Sequence, residues 1–236
     1  MTRPAGFILI VLMLLDCYAS NITSHIPLEH LDSQNRQPAR TARQIKKVSI
    51  KNTIGVIVLS THYGKNSFVR IYNADRSLWY EFTYYYDDSD GKFEYADDKF
   101  KPFAFHPDYF LLVLKCVRRS QNRFEVVVNE ETGMKKYVNV DDPVLKFETW
   151  ERHILRHPSI DFNRKENPVL ETPAGKVKAS DFPKEVLFEA VEIKGEWLKI
   201  RWTRAEEQAR KNKQNDFGWI RWKKDDALLI DIFYLD

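Results

Sequence analysis

The stretches GEWLKIRW at residues 195–202 and FGWIRWKK at residues 217–224 decide the fold of the C-terminal part of the chain. Together they hold four of the six tryptophans in the sequence, and basic residues stand among the rings. Apolar and polar residues alternate along both stretches, and successive side chains of a β-strand point to opposite faces. We therefore predict two strands, each with one apolar face and one aromatic, basic face.

This alternation divides the four tryptophans into two pairs. The apolar face consists of Leu198, Ile200, Trp202, Ile220 and Trp222. The other face consists of Trp197, Lys199, Arg201, Trp219, Arg221 and Lys223. Because a small barrel has little besides such apolar side chains to fill its interior, we predict that the first set is core and that the second set points outward.

Three interpretations of the outward tryptophans remain open. Packing against a preceding β unit would bury about 150–250 Å² per ring. Stacking on the stems of Lys199 and Arg221 would contribute about 0.5–1 kcal/mol per contact. The third interpretation is a ligand-binding groove for an anionic or glycan–peptide ligand, formed by Trp197, Trp219, Lys199, Arg201 and Arg221. Aromatic residues fill cores more often than they bind ligands, which favours packing.

Three short motifs follow one another in residues 167–236. They are the turn Pro173-Ala174-Gly175, the strand motif with Gly195, Trp197 and Ile200, and the strand motif with Gly218, Trp219 and Ile220. In this order they resemble the bacterial SH3-like domain called SH3b. The link TRAEEQARKNKQND at 203–216 departs from that family, where a tight turn is usual. The resemblance implies a small β-barrel and a binding role at the bacterial cell envelope, with peptidoglycan or an envelope protein as the partner.

The residues before this module also form a series of strands separated by turns. We predict strands at Ile54–Ser60, Phe68–Tyr72, Leu78–Tyr86, Tyr109–Val117, Phe124–Asn129, Met134–Val140 and Ser159–Phe162. The stretch YFLLVLKCV at 109–117 is the most apolar, which predicts a central strand covered on both faces. Thr149–Arg156 has apolar residues at helical spacing and predicts one short helix. This region resembles the segment that precedes SH3b domains in uncharacterised exported proteins of Bacteroidota.

These patterns predict a mainly β fold class. We expect an antiparallel β domain at residues 48–162 and an SH3-like domain, a closed barrel, at residues 163–236, with one short helix between them. The hairpin FEVVVNEETGMKKYV at 124–138 echoes the C-terminal tryptophan strands, so a degenerate SH3-like barrel remains an alternative for the first domain.

The N-terminal residues have the layout of an export signal. Arg3 precedes the apolar run Phe7–Leu15, which is too short to span a bilayer core of about 30 Å. We predict a signal peptide at 1–20, a flexible tether at 21–47, and no transmembrane segment in the mature chain. The alternative to plain export is lipid anchoring, in which Cys17 would be acylated and become the new N-terminus. The predicted location is the periplasm or the cell surface.

The composition gives little support to nucleic-acid binding or to catalysis. The net charge is +3, from 37 basic and 34 acidic residues, so we predict no nucleic-acid partner. Cys116 lies within the most apolar strand and is predicted to be a core residue rather than a nucleophile. No metal or cofactor is predicted, and DDSDG at 87–91 is interpreted as a hairpin turn rather than a calcium loop.

Two further classes of function remain open as alternatives to a non-catalytic binding or scaffold module. One is an enzyme of the cell-wall hydrolase type with its site in residues 48–162. Such a site would require a pocket that joins His106 with Asp108, or His153 with Glu148. The other is an assembly subunit that adds strands at an exposed sheet edge.

Overall fold

The computed structural model describes residues 48–84, 98–157, 159–178, 182, 186, 188–203 and 215–234. All of them belong to one compact unit. The predicted signal at 1–20, the alternative lipid anchor at Cys17 and the tether at 21–47 lie outside the described residues. The same holds for the turn at 87–91 and for most of the link at 203–216.

The described residues are mainly β-strands, and one α-helix lies between two groups of strands. The strands are β1 Val48–Ser49, β2 Gly55–Leu59, β3 Val69–Tyr72, β4 Leu78–Phe82, β5 Ala104–His106, β6 Leu111–Arg119, β7 Arg123–Asn129, β8 Met134–Asn139, β9 Leu145–Glu148, β10 Ser159–Phe162, β11 Phe188–Lys194, β12 Trp197–Thr203, β13 Asn215–Arg221, β14 Lys223–Lys224, β15 Ala227–Leu228 and β16 Ile230–Ile232. The helix α1 spans Trp150–Arg156. The strand and helix positions predicted from the sequence are confirmed to within a few residues.

These strands form three sheets in which the named strands pair antiparallel. The largest has eight strands in the order β4-β3-β8-β7-β6-β2-β9, with β5 added on β6. The second has five strands in the order β13-β12-β11-β10-β16, and a small third sheet has the order β1-β15-β14. Because β1 at Val48 pairs with β15 at Leu228, the two ends of the described chain meet in one sheet.

Alternation along the central strands gives the eight-stranded sheet two buried faces. Val113 of β6 belongs to one core cluster, whereas Leu112 and Leu114 belong to another. Leu112 through Cys116 are all buried, which confirms the prediction of a strand covered on both sides. The cluster that contains Val113 also includes residues of α1 and the apolar face of β12 and β13. The eight-stranded and five-stranded sheets therefore share a core. The other includes Phe82 and Phe100.

None of the three sheets closes into a barrel in the part of the chain described here, so the closed barrel predicted for residues 163–236 is not formed. In the C-terminal sheet the end strands β13 and β16 do not pair with each other, and β10 lies inside the sheet. Ile160 of this strand pairs with Phe188 of β11 on one side and with Ile232 of β16 on the other. This strand from the predicted first domain therefore lengthens the C-terminal sheet, and β13 and β16 stand at its two ends.

The helix α1 is short and begins at a side-chain cap. The hydroxyl of Thr149 accepts a hydrogen bond from the amide of Arg152 at 3.3 Å, as expected of a threonine that precedes a helix. Trp150, His153 and Ile154 are buried, so the helix packs one face onto the sheets. Across the described ranges, no helix has the length and apolar character needed to cross a membrane.

Candidate functional site

The tryptophan strands β12 and β13 have the two faces that the alternation predicts. The five apolar residues of the inward set all lie in the core that the two sheets share. Trp202 and Trp222 are 3% and 1% exposed, which confirms their assignment to the core. The indole nitrogen of Trp222 donates to the carbonyl of Gly195 at 2.8 Å, so its polar atom has a partner.

The register of β12 and β13 aligns the outward residues in three cross-strand pairs. Trp197 lies opposite Arg221, Lys199 opposite Trp219, and Arg201 opposite Phe217. Each pair joins one ring and one cation, and side chains directly opposite each other in a sheet are in contact distance. We call these six residues the aromatic–cation face. All five residues predicted for a ligand site lie on it.

The neighbouring strand β11 adds acidic residues to the same surface. Its residues Glu189, Glu192 and Lys194 lie opposite Arg201, Lys199 and Trp197, respectively. The hairpin between β11 and β12 turns at Gly195, whose φ of +59° is readily adopted by glycine. The tight hairpin therefore sets the three strands side by side and brings acids next to the aromatic–cation face.

Two of the cations on this face are paired with carboxylates. The guanidinium of Arg221 lies 4.7 Å from the ring centre of Trp197 and 3.0 Å from a carboxylate oxygen of Glu196. Arg201 donates from Nε to Glu189 at 3.0 Å. All four charged side chains of these ion pairs are about two-fifths exposed or more. Such ion pairs are worth about 0–1 kcal/mol each, so a ligand carboxylate can replace a carboxylate partner at little cost.

Lys199 differs from the other two cations because it makes no salt bridge to any residue that the structure describes. Its ammonium lies 5.3 Å from the ring centre of Phe217. The acid opposite it, Glu192, is instead bound to Lys194 at 2.8 Å. Lys199 therefore presents a half-buried positive charge beside an aromatic ring, which favours an anionic partner.

The three rings of the aromatic–cation face differ in accessibility. Phe217 is 42% exposed and Trp197 is half-buried, whereas Trp219 is only 8% exposed. The backbone of Trp219 bonds twice to Leu170, at 2.7 and 2.8 Å, and Lys194 lies 5.2 Å from its ring centre. Among the described residues Trp219 belongs to neither core cluster. Trp219 therefore contributes little accessible ring surface to this face, whereas the rings of Trp197 and Phe217 are accessible to a ligand.

Phe217 was not among the residues predicted for this site. It lies two positions before Trp219 on the same strand, so the same alternation places it on the outward face. The signal was present in the sequence, in the first letter of FGWIRWKK. The roles of Glu189 and Glu196 as partners of arginines depend on the pairing of strands and carry no local signal.

A second polar cluster joins the helix to the C-terminal residues. The imidazole Nδ1 of His153 lies 3.2 Å from a carboxylate oxygen of Glu148, and its Nε2 lies 3.0 Å from the hydroxyl of Tyr234. The other oxygen of Glu148 lies 3.1 Å from Arg156 and 3.2 Å from Lys146. The structure therefore brings together His153 and Glu148, one of the two pairs considered for an enzyme.

The protonation states in this cluster follow from burial and hydrogen bonding. An ionised carboxylate can only accept, so Nδ1 of His153 donates to Glu148 and the hydroxyl of Tyr234 donates to Nε2. Burial lowers the pKa of His153 to about 4, although the hydrogen bond to Glu148 opposes this shift. Burial alone would raise the pKa of Glu148, but His153, Arg156 and Lys146 lower it overall. The imidazole is neutral at pH 7.

The side chain of His153 has no exposed surface and that of Glu148 has none either. A general base must come within hydrogen-bonding distance of the proton that it removes, and here no substrate can approach the ring. The Glu148–His153–Tyr234 chain therefore acts as a buried connection between β9, α1 and the residues after β16. The other pair differs, because His106 and Asp108 are both exposed.

Cys116 and the acidic residues offer no alternative site in the described residues. Cys116 is fully buried, and burial raises the pKa of its thiol to about 12. The thiolate that a nucleophile requires is therefore not formed near neutral pH. Within the described ranges no three histidine, cysteine, aspartate or glutamate side chains come close enough together to hold a metal ion.

No protein-family model, no curated protein and no solved structure matches this chain in the comparisons.

Proposed function

We propose that this protein is a non-catalytic binding module of the bacterial cell envelope and that the aromatic–cation face is its ligand surface. One observation carries the proposal. Lys199, which makes no salt bridge in the described part of the chain, lies beside Phe217, a ring that is 42% exposed. A surface that keeps both a cation and an aromatic ring accessible suits a ligand with negative charge and flat, weakly polar surfaces.

Peptidoglycan has this combination, because its sugar rings can stack on aromatic side chains and its peptide stems carry carboxylates. Trp197 and Phe217 would contact the sugar rings, and Lys199 with Arg221 would contact the carboxylates. Charge-assisted hydrogen bonds of this kind are stronger than neutral ones. An envelope protein with an acidic surface could make the same contacts. Co-sedimentation with sacculi distinguishes the two partners.

The proposed fold family and location have separate support. The meander β11–β12–β13, the bridge between Leu170 and Val177 and the tryptophan motifs favour an SH3-like arrangement that β10 has opened into a longer sheet. The location at the envelope depends on the export signal at 1–20 and on the tether at 21–47, which remain sequence-based predictions.

The test is co-sedimentation of the protein with purified peptidoglycan sacculi. The double variant Lys199→Ala, Phe217→Ala removes an accessible ring and the cation next to it. The matched control is Phe68→Ala, Arg70→Ala, because Phe68 is 40% exposed and Arg70 lies 5.6 Å from its ring centre, in a different sheet. Both variants therefore lose one exposed aromatic–cation contact.

We expect retention of the first variant to fall about tenfold or more, because truncation of an interface hot spot costs about 2 kcal/mol or more. The control is expected to sediment like the wild type. Equal retention of the two variants would contradict the proposal. A different result would identify a protein partner instead of peptidoglycan. In that case the wild type would not sediment with sacculi, but it would cross-link to an envelope protein in a way that depends on Lys199.

A further inference from the structure

The eight-stranded sheet has a cleft that is separate from the aromatic–cation face. It lies where the end of β3, the turn between β6 and β7, and the end of β8 meet, and its volume is about 470 Å³. This volume falls within the range of about 300–1,000 Å³ that is common for small-ligand sites. The lining is polar and includes Tyr72, Arg76, Asn122, Asn139 and Asp141.

Five of the polar side chains that line this cleft make no hydrogen bond or salt bridge to a described residue. This is true of the guanidinium of Arg76, of the amides of Gln121, Asn122 and Asn139, and of the carboxylate of Asp141. Elsewhere in the same sheet, comparable groups are paired: Arg70 bonds to Glu81 and Arg118 to Glu125. The cleft therefore gathers donors and acceptors that remain free for a ligand.

Arg76 is held at the cleft by an unfavourable backbone conformation. Its φ is +73°, in the left-handed region where a turn such as this one usually has glycine or asparagine. The turn is tied down from neighbouring strands, because Arg123 donates to the carbonyl of Ala74 at 3.1 Å and Lys136 donates to the side chain of Asn73 at 2.7 Å. These bonds fix the turn and so the position of Arg76 at the cleft.

We propose that this cleft binds a carboxylated saccharide. The guanidinium of Arg76 matches a carboxylate in bidentate geometry. The amides of Gln121, Asn122 and Asn139 can each both donate to and accept from hydroxyl groups. Tyr72 adds a ring face on which a sugar ring can lie. Asp141 can only accept, so it requires a ligand that brings hydroxyl donors to the same cleft.

The carboxylate of Asp141 disfavours a more highly charged ligand. A phosphate dianion or a polyphosphate would be repelled by Asp141, whereas a ligand with a single carboxylate is balanced by Arg76. The second arginine of the lining, Arg123, already donates to the turn and stacks 4.5 Å from the ring centre of Tyr137. It is therefore a positioning residue for Arg76.

The test is titration of the ¹⁵N-labelled full chain with a galacturonate trisaccharide, followed by NMR. Maltotriose serves as the neutral sugar and sodium phosphate as the simple anion. The decisive variant is Arg76→Gly, which removes the guanidinium and relieves the left-handed conformation at once, so that the fold is retained. The matched control is Arg118→Ala, which removes an exposed arginine outside the cleft.

We expect saturable shifts of the side-chain amide signals of Asn122 and Asn139 with the galacturonate trisaccharide. Maltotriose and phosphate should bind at least about tenfold more weakly, and Arg76→Gly should weaken binding of the trisaccharide by about tenfold or more, as loss of a charge-assisted bond implies. Arg118→Ala should bind normally. Wild-type affinity in Arg76→Gly, equally tight binding of phosphate, or amide signals that do not move would each overturn the proposal.

This site goes beyond the function proposed above and is tested separately from it. The variant Lys199→Ala, Phe217→Ala alters only the five-stranded sheet, so it should bind the galacturonate trisaccharide like the wild type. If that variant loses binding to sacculi but still binds the trisaccharide, the loss belongs to the aromatic–cation face. If Arg76→Gly loses binding of the trisaccharide but still binds sacculi, the loss belongs to the cleft.

Discussion

Replacement of His153 by phenylalanine tests whether the buried Glu148–His153–Tyr234 chain makes stability depend on pH. The substitution keeps an aromatic ring of similar size but removes both ring nitrogens. At pH 7.5 it takes away a hydrogen bond to the carboxylate of Glu148 and leaves the hydroxyl of Tyr234 without its partner. A hydrogen bond to a charged group contributes about 1.5–3 kcal/mol, and an unsatisfied buried hydroxyl costs about 1–3 kcal/mol. We expect a loss of about 3 kcal/mol in the free energy of unfolding.

The pH dependence follows from the pKa of the wild-type imidazole. Burial lowers it from 6.5 to about 4 in the native state. Between these two values the unfolded chain binds a proton that the native protein does not bind, so the free energy of unfolding falls as the pH falls through this window. With these two pKa values the free energy of unfolding of the wild type falls by about 2 kcal/mol between pH 7.5 and pH 5.0. The lowered pKa of Glu148 acts in the same direction at lower pH.

The assay is urea unfolding followed by tryptophan fluorescence at several pH values from 7.5 to 5.0. The difference between the wild type and His153→Phe should shrink from about 3 kcal/mol at pH 7.5 to about 1 kcal/mol at pH 5.0, because only the wild type loses the contribution of this imidazole. The control is Tyr234→Phe, which keeps the imidazole buried. It should lose about 1 kcal/mol at pH 7.5 and keep the pH dependence of the wild type. A constant difference between wild type and His153→Phe across the pH range would refute the reasoning.

Three further predictions concern the core and the thiol. Alkylation at Cys116, followed by mass spectrometry, should proceed only as fast as the protein opens, because the thiol is buried and burial raises its pKa to about 12; rapid labelling of the native protein would show an accessible thiol. Trp222→Ala should lower the free energy of unfolding by about 3–5 kcal/mol in urea, because the ring is 1% exposed; a loss below about 1 kcal/mol would be inconsistent with this core. Gly55→Ala should cost about 2 kcal/mol or more, because a β-carbon there would lie 2.2 Å from the carbonyl oxygen of Glu148, whereas Gly64→Ala meets no atom within 4 Å and should be near neutral; similar losses for both would contradict the predicted clash.

Local pattern was sufficient to predict the helix and the strands β2, β3, β4, β6, β7, β8, β10, β12 and β13, whereas most of the other described strands were not predicted. β6 was recognisable because its residues are apolar without interruption, and β7 and β8 because turn residues separate alternating stretches. The helix α1 was recognisable because Thr149 precedes residues at helical spacing. The same alternation assigned Trp202 and Trp222 to the core and Trp197 to the outward face, since the two-residue period of a strand depends on backbone geometry alone.

The arrangement of the strands was not predictable in the same way, because it depends on contacts between distant residues. Nothing near Ile160 indicates that β10 lies between β11 and β16, in a sheet that ends at β13 and β16 and does not close into the predicted barrel. The bond between His153 and Tyr234 joins residues 81 positions apart. Trp219 lies on the outward face as predicted but is only 8% exposed, and its backbone pairs with Leu170, 49 positions away.

The most direct measurement of the proposed ligand surface is an NMR titration that follows the indole N–H signals with soluble peptidoglycan fragments. Trp197 lies on the aromatic–cation face, whereas Trp222 is buried and bonded to Gly195. The fragments should shift the Trp197 signal saturably and leave the Trp222 signal in place, and the shift should disappear in the variant Lys199→Ala, Phe217→Ala. A Trp197 signal that stays unchanged at saturating fragment concentration, or one that shifts equally in that variant, would contradict the proposed surface.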